Sequence, residues 1–180
     1  FFNIINFKNN NNARDRFVLS KGHGVPMLYS AFAELGLINN EELLTLRKNN
    51  SRLQGHPDRV KLPFLDAGTG ALGQGLSISI GYALAFKLLD HMNNKSICVV
   101  GDGEMQEGQI WEAIMYAGCK KLDNLYLIID NNSFQNETSI IETIGDISFE
   151  DKAKSFNWNY AQVDGHNISE IIDTLNQFKN

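Results

Sequence analysis

Two polar turns in this chain have residue types that could hold a divalent cation against a diphosphate. Gly101-Asp102-Gly103-Glu104 follows the apolar run Cys98-Val99-Val100, and Asp130-Asn131-Asn132 follows the apolar run at 125–129. Asp102 and Asn132 are 30 residues apart, with a helical pattern between them. In a parallel sheet such turns open on one rim, because successive strands point the same way. A carboxylate, an amide oxygen and a backbone carbonyl would fill part of the six-oxygen shell of magnesium, leaving diphosphate oxygens and water to complete it. Gly101 and Gly103 would let main-chain amides approach the diphosphate. Ordinary strand-end turns also collect Asp, Asn and Gly, so the spacing alone leaves both readings open.

Other candidates surround these. His23 lies in a Gly-His-Gly turn and His56 in a Gly-His-Pro turn, where an imidazole could move protons or donate to a phosphate. His91 and His166 read as structural. Glu107, near Glu104, opens a helix; there a carboxylate either complements the dipole or meets an acidic group across an interface. Gly68-Thr69-Gly70-Ala71-Leu72-Gly73 matches G-x-G-x-x-G, but that fingerprint needs a strand before it and 62–67 contains Pro63. Asp66 faintly resembles an aspartyl-phosphate nucleophile, yet the second acid two positions on is replaced by Gly68.

The elements that must position these residues follow from periodicity. A short strand or turn is expected at 17–20. Helices are expected at 26–37, at 40–47 with Asn40 as its cap, at 76–89, 109–119, 149–156 and 168–178. Strands are expected at 95–100, 125–129 and 158–163. Residues 49–75 read as a long functional loop, and Asn9 to Asn12 as a polar tract. Alternating strands and helices give an α/β class with a mainly parallel sheet and helices on both faces.

Bulk properties narrow the function. At 180 residues, with 43% hydrophobic and 21% charged residues, the chain suits one globular domain. A net charge of −5 argues against nucleic-acid binding. No apolar run is long enough to span a bilayer. Two cysteines, one in a predicted buried strand, fit a reducing, cytoplasmic compartment.

Taken together, Asp15-Arg16-Phe17-Val18-Leu19-Ser20-Lys21-Gly22-His23-Gly24, Arg52-Leu53-Gln54-Gly55-His56-Pro57, Gly70-Ala71-Leu72-Gly73-Gln74-Gly75-Leu76 and 101–113 resemble the thiamine-diphosphate-binding half of transketolase. Asp130, Asn132, Gln135 and Asp164-Gly165-His166 extend the likeness, which is greatest to the N-terminal subunit of the split form. The resemblance implies thiamine diphosphate with Mg2+ (or Ca2+ or Mn2+) as cofactors. It implies that Asp102 and Asn132 bind the metal through side chains and Phe134 through its carbonyl. Gly70, Leu72, Gly101, Gly103 and Glu104 would line the cofactor. His23 and His56 would face the thiazolium and the substrate, and Glu107 would communicate across a dimer. Implied partners are sugar phosphates and a C-terminal subunit carrying the pyrimidine-binding domain, in a heterotetramer.

Residues 1–14 are expected to be a ragged leading segment, and 15–180 a diphosphate-binding domain that begins inside the fold. A family segment with a further active-site histidine is absent, and so is the pyrimidine-binding domain with the glutamate that activates the cofactor, so the polypeptide alone is expected to be inactive. Ser133 stands where the family usually has glycine, and Ala71 where it often has proline. Competing expectations are another thiamine-dependent enzyme, such as a deoxyxylulose-phosphate synthase or a 2-oxoacid dehydrogenase component, and a non-catalytic cofactor-binding subunit.

Overall fold

The computed structural model describes residues 5–6, 14–89 and 92–178. Three parallel strands, β1 (Arg16–Leu19), β2 (Ser96–Gly101) and β3 (Leu125–Asp130), lie side by side in that order. Phe17 pairs with Ile97, and Gly101 with Asp130. The loops beginning at Ser20, Asp102 and Asn131 therefore leave from one rim of the sheet.

Alternate residues of β2 feed two cores. Ile97 joins Leu28, Tyr29 and Phe32 of helix α1 (Val25–Glu34). Cys98 and Val100 join Leu76 and Ile80 of α2 (Gln74–Leu84) and Ile110 and Ile114 of α3 (Gly108–Lys120). A strand covered on both faces has no polar side to show, so it reads as an unbroken apolar run. The expected class, α/β with helices on both faces of a parallel sheet, holds. α1 carries Pro26 in its first turn, where a missing N–H costs nothing. α2 continues into a wider turn at Ala85–Leu89.

Three expectations change. The helix expected over 40–47 is a 3-10 helix, Asn40–Thr45, and Asn39 rather than Asn40 holds the cap position. Leu46 leaves helical geometry and Arg47 is left-handed at φ 60°, with its amide donating to the Leu53 carbonyl at 2.9 Å. That loop bond replaces the next helical one.

The strand expected at 158–163 is absent. The Trp158 indole donates to the Ile114 carbonyl of α3 at 2.9 Å, and the residues after it border a groove of about 790 Å³ beside β3. Anchoring on α3 holds the segment off the ladder.

The third change is a hairpin, β4 (Phe134–Gln135) with β5 (Thr138–Ser139), leading into α4 (Ile140–Ile144). Ser139 and Glu142 form a reciprocal capping box there, a signal the sequence carried. Ser148 caps α5 (Phe149–Ser155) and Asn167 caps α6 (Ile168–Gln177). His91 and the Asn9 to Asn12 tract lie outside the described residues. Among those described, no helix is long and apolar enough to cross a membrane.

Gly118 is where α3 meets the turn after α5. A methyl group there would stand 1.9 Å from the Phe156 carbonyl oxygen. Gly118→Ala is expected to destabilise the fold by about 1–3 kcal/mol through overpacking. Gly81→Ala on α2 meets nothing within 4 Å and is expected to stabilise by up to about 1 kcal/mol through helix propensity. Thermal unfolding of both variants checks the opposite signs.

Candidate functional site

The turn after β2 is built on Asp102, which is buried. Its Oδ1 accepts the amide of Gly103 at 2.8 Å, and its Oδ2 accepts the amide of Ser133 at 2.6 Å. The second bond joins the two turns singled out above, because Ser133 follows Asn132. Asn132 Oδ1 accepts the Phe134 amide at 2.9 Å, turning the chain into β4. Ser133 adopts φ 66°, a left-handed conformation that glycine takes without strain. Gly103 has no room for a side chain: a methyl would stand 2.9 Å from Gln135 Cβ. The Asp102, Asn132 and Phe134 backbones thus converge at the carboxyl ends of β2 and β3.

Glu104 sits behind this turn with 3% of its surface exposed. Oε1 accepts the Ser20 hydroxyl at 2.5 Å and the Gly73 amide at 2.7 Å, while Oε2 accepts the Gly101 amide at 3.1 Å. One carboxylate therefore joins the ends of β1 and β2 to the glycine loop before α2. Ser20 Oγ also accepts the Gly75 amide at 3.1 Å. A methyl on Gly75 would meet Ser20 Cβ at 2.5 Å, so α2 approaches β1 through a position open only to glycine. Gly73 is left-handed, at φ 83°. Leu72 gives its carbonyl to Gln109 Nε2 at 2.9 Å, which ties the loop to α3.

The two histidine turns meet at the same loop. A methyl on Gly22 or on Gly70 would come 3.0 Å from the His56 ring. Both glycines give the imidazole its bed. Tyr29 fixes the turn from below, donating its hydroxyl to the carbonyls of Gln54 at 3.1 Å and His56 at 3.3 Å. Burial, followed by the charge of Asp58, pushes that phenol up to about 12, so it stays a donor. His23 is held below the usual histidine range, first by partial burial and then by the Lys21 ammonium. It is therefore mainly neutral near pH 7 and can accept a proton. The Lys21 ammonium lies 2.7 Å from Asp130 Oδ2, placing an ion pair across the rim.

Glu107 starts α3 and packs behind the glycine loop, its Cβ 2.9 Å from where a methyl on Gly73 would sit. Glu107 is exposed, as is Phe134. His166 lies in an exposed Asx turn, its amide 2.9 Å from Asp164 Oδ1, away from these contacts. Asp66 has no role as a nucleophile: Arg14, Arg16 and the Phe17 amide occupy its carboxylate. No strand lies between residue 45 and the glycine run, so the dinucleotide reading lapses.

Sequence reasoning assigned no role to Ser20, Lys21, Thr69 or Gly73. Thr69 donates to the Leu19 carbonyl at 2.6 Å. The available signal for Ser20 and Lys21 was their position where β1 ends.

The family described as transketolase, thiamine diphosphate binding domain, matches residues 3–180. The chain belongs to the transketolase family. It is 41% identical over 183 residues to the transketolase of Pongo abelii, covering 99% of this chain and 29% of that protein. It is 43% identical over 166 residues to the 6-deoxy-6-sulfo-D-fructose transketolase subunit SqwG of Clostridium sp. (strain MSTE9), covering 92% of this chain and 60% of that subunit. The solved transketolase of Campylobacter jejuni superposes with a TM-score of 0.86 at 34% identity, over 97% of this chain and 28% of that one. The Pichia stipitis R525L transketolase gives 0.90 at 30% identity, over 99% and 28%. The chain thus spans under two thirds of the length of these relatives. It shares the thiamine-diphosphate-binding fold with these transketolases.

Within this transketolase fold, Glu104→Ala would leave three buried donors without an acceptor and is expected to cost about 2 kcal/mol or more. Glu104→Gln turns a donor toward at least one of those amides and is expected to recover only part of the loss. Urea unfolding of the two variants against the parent measures it.

Proposed function

We propose that this chain is the diphosphate-binding part of a transketolase. It would transfer a two-carbon ketol unit from a ketose phosphate to an aldose phosphate, with thiamine diphosphate and Mg2+. The observation that carries the reading is the bond from the Ser133 amide to Asp102 Oδ2, which brings the two polar turns together. Each acidic oxygen of Asp102 has one lone-pair site engaged and another free for a cation. Among the described residues there is no group of three His, Cys, Asp or Glu that could hold a metal. The donor set here is different, one carboxylate, the Asn132 amide oxygen and the Phe134 carbonyl, and it suits a magnesium ion that takes its remaining oxygens from a diphosphate.

Gly101 and Gly103 keep the rim free of side chains where the diphosphate would lie, and Gly70 and Leu72 would border the aminopyrimidine. Glu104 shapes the cradle from behind, since both its oxygens are engaged by the protein. When bound, thiamine diphosphate supplies the carbanion chemistry that cleaves and forms the bond beside a ketose carbonyl. His23, kept neutral, and His56, bedded on two glycines, would hold sugar hydroxyls and move their protons. Glu107 would meet an acidic partner across an interface.

The match to 29% of the Pongo abelii enzyme supports a further, C-terminal domain as partner, and the name of the Clostridium relative, a transketolase subunit, supports a second polypeptide that carries it. The name of the Clostridium relative supports a donor with an anionic end, phosphate or sulfonate. Two free cysteines, one buried in β2, fit a cytoplasmic setting.

Asp102→Asn is expected to weaken Mg2+-dependent binding of thiamine diphosphate at least tenfold, by about 1.4 kcal/mol or more, in calorimetry on the assembled enzyme, with circular dichroism unchanged. Unaltered affinity would remove the metal assignment. His56→Ala is expected to lower kcat for ketol transfer by about a hundredfold or more while cofactor affinity changes little; steady-state kinetics beside the same calorimetry decide.

A further inference from the structure

Lys21 is a buried ammonium that the ketol-transfer reading leaves without a task. Its side chain is 11% exposed, while that of its partner, Asp130, is 51% exposed. Pairs exposed at both ends contribute little. A lysine is sunk to this depth only where another contribution offsets its desolvation.

The backbone explains how it gets there. The amides of Ser20 and Lys21 both donate to the Val99 carbonyl, at 2.8 and 3.4 Å, so the chain stays against β2 beyond the end of β1. The Gly24 amide then donates to the Lys21 carbonyl at 2.9 Å, closing a 3-10 turn, Gly22–Gly24, around His23. The Lys21 stem runs over the end of β2: a methyl on Gly101 would stand 3.9 Å from its Cβ and from its Cδ. Its Nζ meets Asp130 Oδ2 at 2.7 Å, where β3 ends. Two strand spacings, about 10 Å, separate β1 from β3. A lysine from one side and an aspartate from the other span that gap; a short polar residue at position 21 would not. Asp130 is also tied to the turn after β2, because its carbonyl accepts the Asp102 amide at 3.2 Å. Asn132 lies two residues further on.

We propose that Lys21 is a positioning residue: its ion pair with Asp130 clamps the turn that carries His23 to the turns that carry Asp102 and Asn132. The proposal rests on the ketol-transfer reading for the roles of those residues and adds what holds them in one register. The same pair shapes the charge around His23. Partial burial is the first influence against protonating that imidazole. Lys21 and His56 also disfavour its protonation, whereas Glu104 and Asp130 favour it. Lys21 is the one permanent cation in that set.

The test uses the assembled enzyme as Lys21→Met, Lys21→Arg, Asp130→Asn and the double variant Lys21→Met with Asp130→Asn. Mg2+ with thiamine diphosphate is the calorimetric probe, and isotope-labelled histidine is the magnetic-resonance probe. Lys21→Met, which keeps the apolar stem, and Asp130→Asn are each expected to weaken Mg2+-dependent cofactor binding about threefold to fivefold, the size of one such ion pair. The double variant should lose no more than the worse single one, since both remove the same contact. Lys21→Arg still reaches the carboxylate and should restore most of the affinity. The His23 signal should titrate at higher pH in Lys21→Met and at lower pH in Asp130→Asn, whereas mere slackening of the turn would move both the same way. Should Asp130→Asn not fold, the loss in Lys21→Met and its recovery in Lys21→Arg decide. Additive losses, a loss confined to the Lys21 variants, no rescue by arginine, or His23 shifts of one sign would each overturn the clamp. Absence of thiamine diphosphate binding in every form, the parent included, with the opposite His23 shifts retained, would leave the clamp standing and overturn the functional reading instead.

Discussion

The arrangement at the rim depends on one buried carboxylate. Glu104 receives the Ser20 hydroxyl, the Gly73 amide and the Gly101 amide, groups separated by long stretches of chain but joined at its two oxygens. Burying a charge is costly unless its hydrogen-bonding capacity is met. That cost makes the contact selective: the carboxylate is tolerated only when β1, β2 and the glycine loop have all arrived. Loops alone could slide by an ångström; a shared, desolvated acceptor gives them one common register. The glycines follow from the same demand. Gly75 must have no side chain for α2 to reach Ser20, and Gly73 must be left-handed to aim its amide at Glu104.

The acids in Gly-Asp-Gly-Glu thus divide their tasks by direction. Asp102 reaches sideways to the next loop through Ser133, each of its oxygens accepting one amide. Glu104, two residues on in a 3-10 turn, points back into the protein. The change of direction comes from the turn itself, which sends successive side chains to different sides within one short span. A sequence reader sees two acids of similar type and expects similar work from them. Only the turn geometry separates an acid with lone pairs to spare from one consumed by the scaffold.

Much of the fold was legible because burial on both faces leaves a plain mark. β2 and β3 are continuous apolar runs, and α3 shows its buried Ile110, Ile114 and Ala117 at helical spacing. The failures have local causes. Residues 40–47 have helical composition, yet the loop bond from Arg47 to Leu53 ends the helix early. Residues 158–163 are β-prone, yet the Trp158 indole is satisfied on α3 rather than beside β3. Candidate residues with distinctive chemistry, such as Asp102, His23 and His56, stand out by type and spacing. Ser20 does not, because a serine at a strand end is common and its role exists only through Glu104, 84 residues away.

The rim also explains why so much apolar surface gathers beside so polar a site. Phe134 is 67% exposed and Ile141 63% exposed, on the hairpin and short helix that follow Asn132. An isolated surface gains nothing by placing such side chains next to a polar turn. A site that needs a dry surrounding to strengthen its electrostatics does gain, provided that another protein surface covers them. Asp102, Glu104 and the glycine loop build the floor of the cradle from this chain alone. An exposed apolar border of this kind is what a covering surface would bury, and the dryness of the rim would then depend on that cover rather than on this fold.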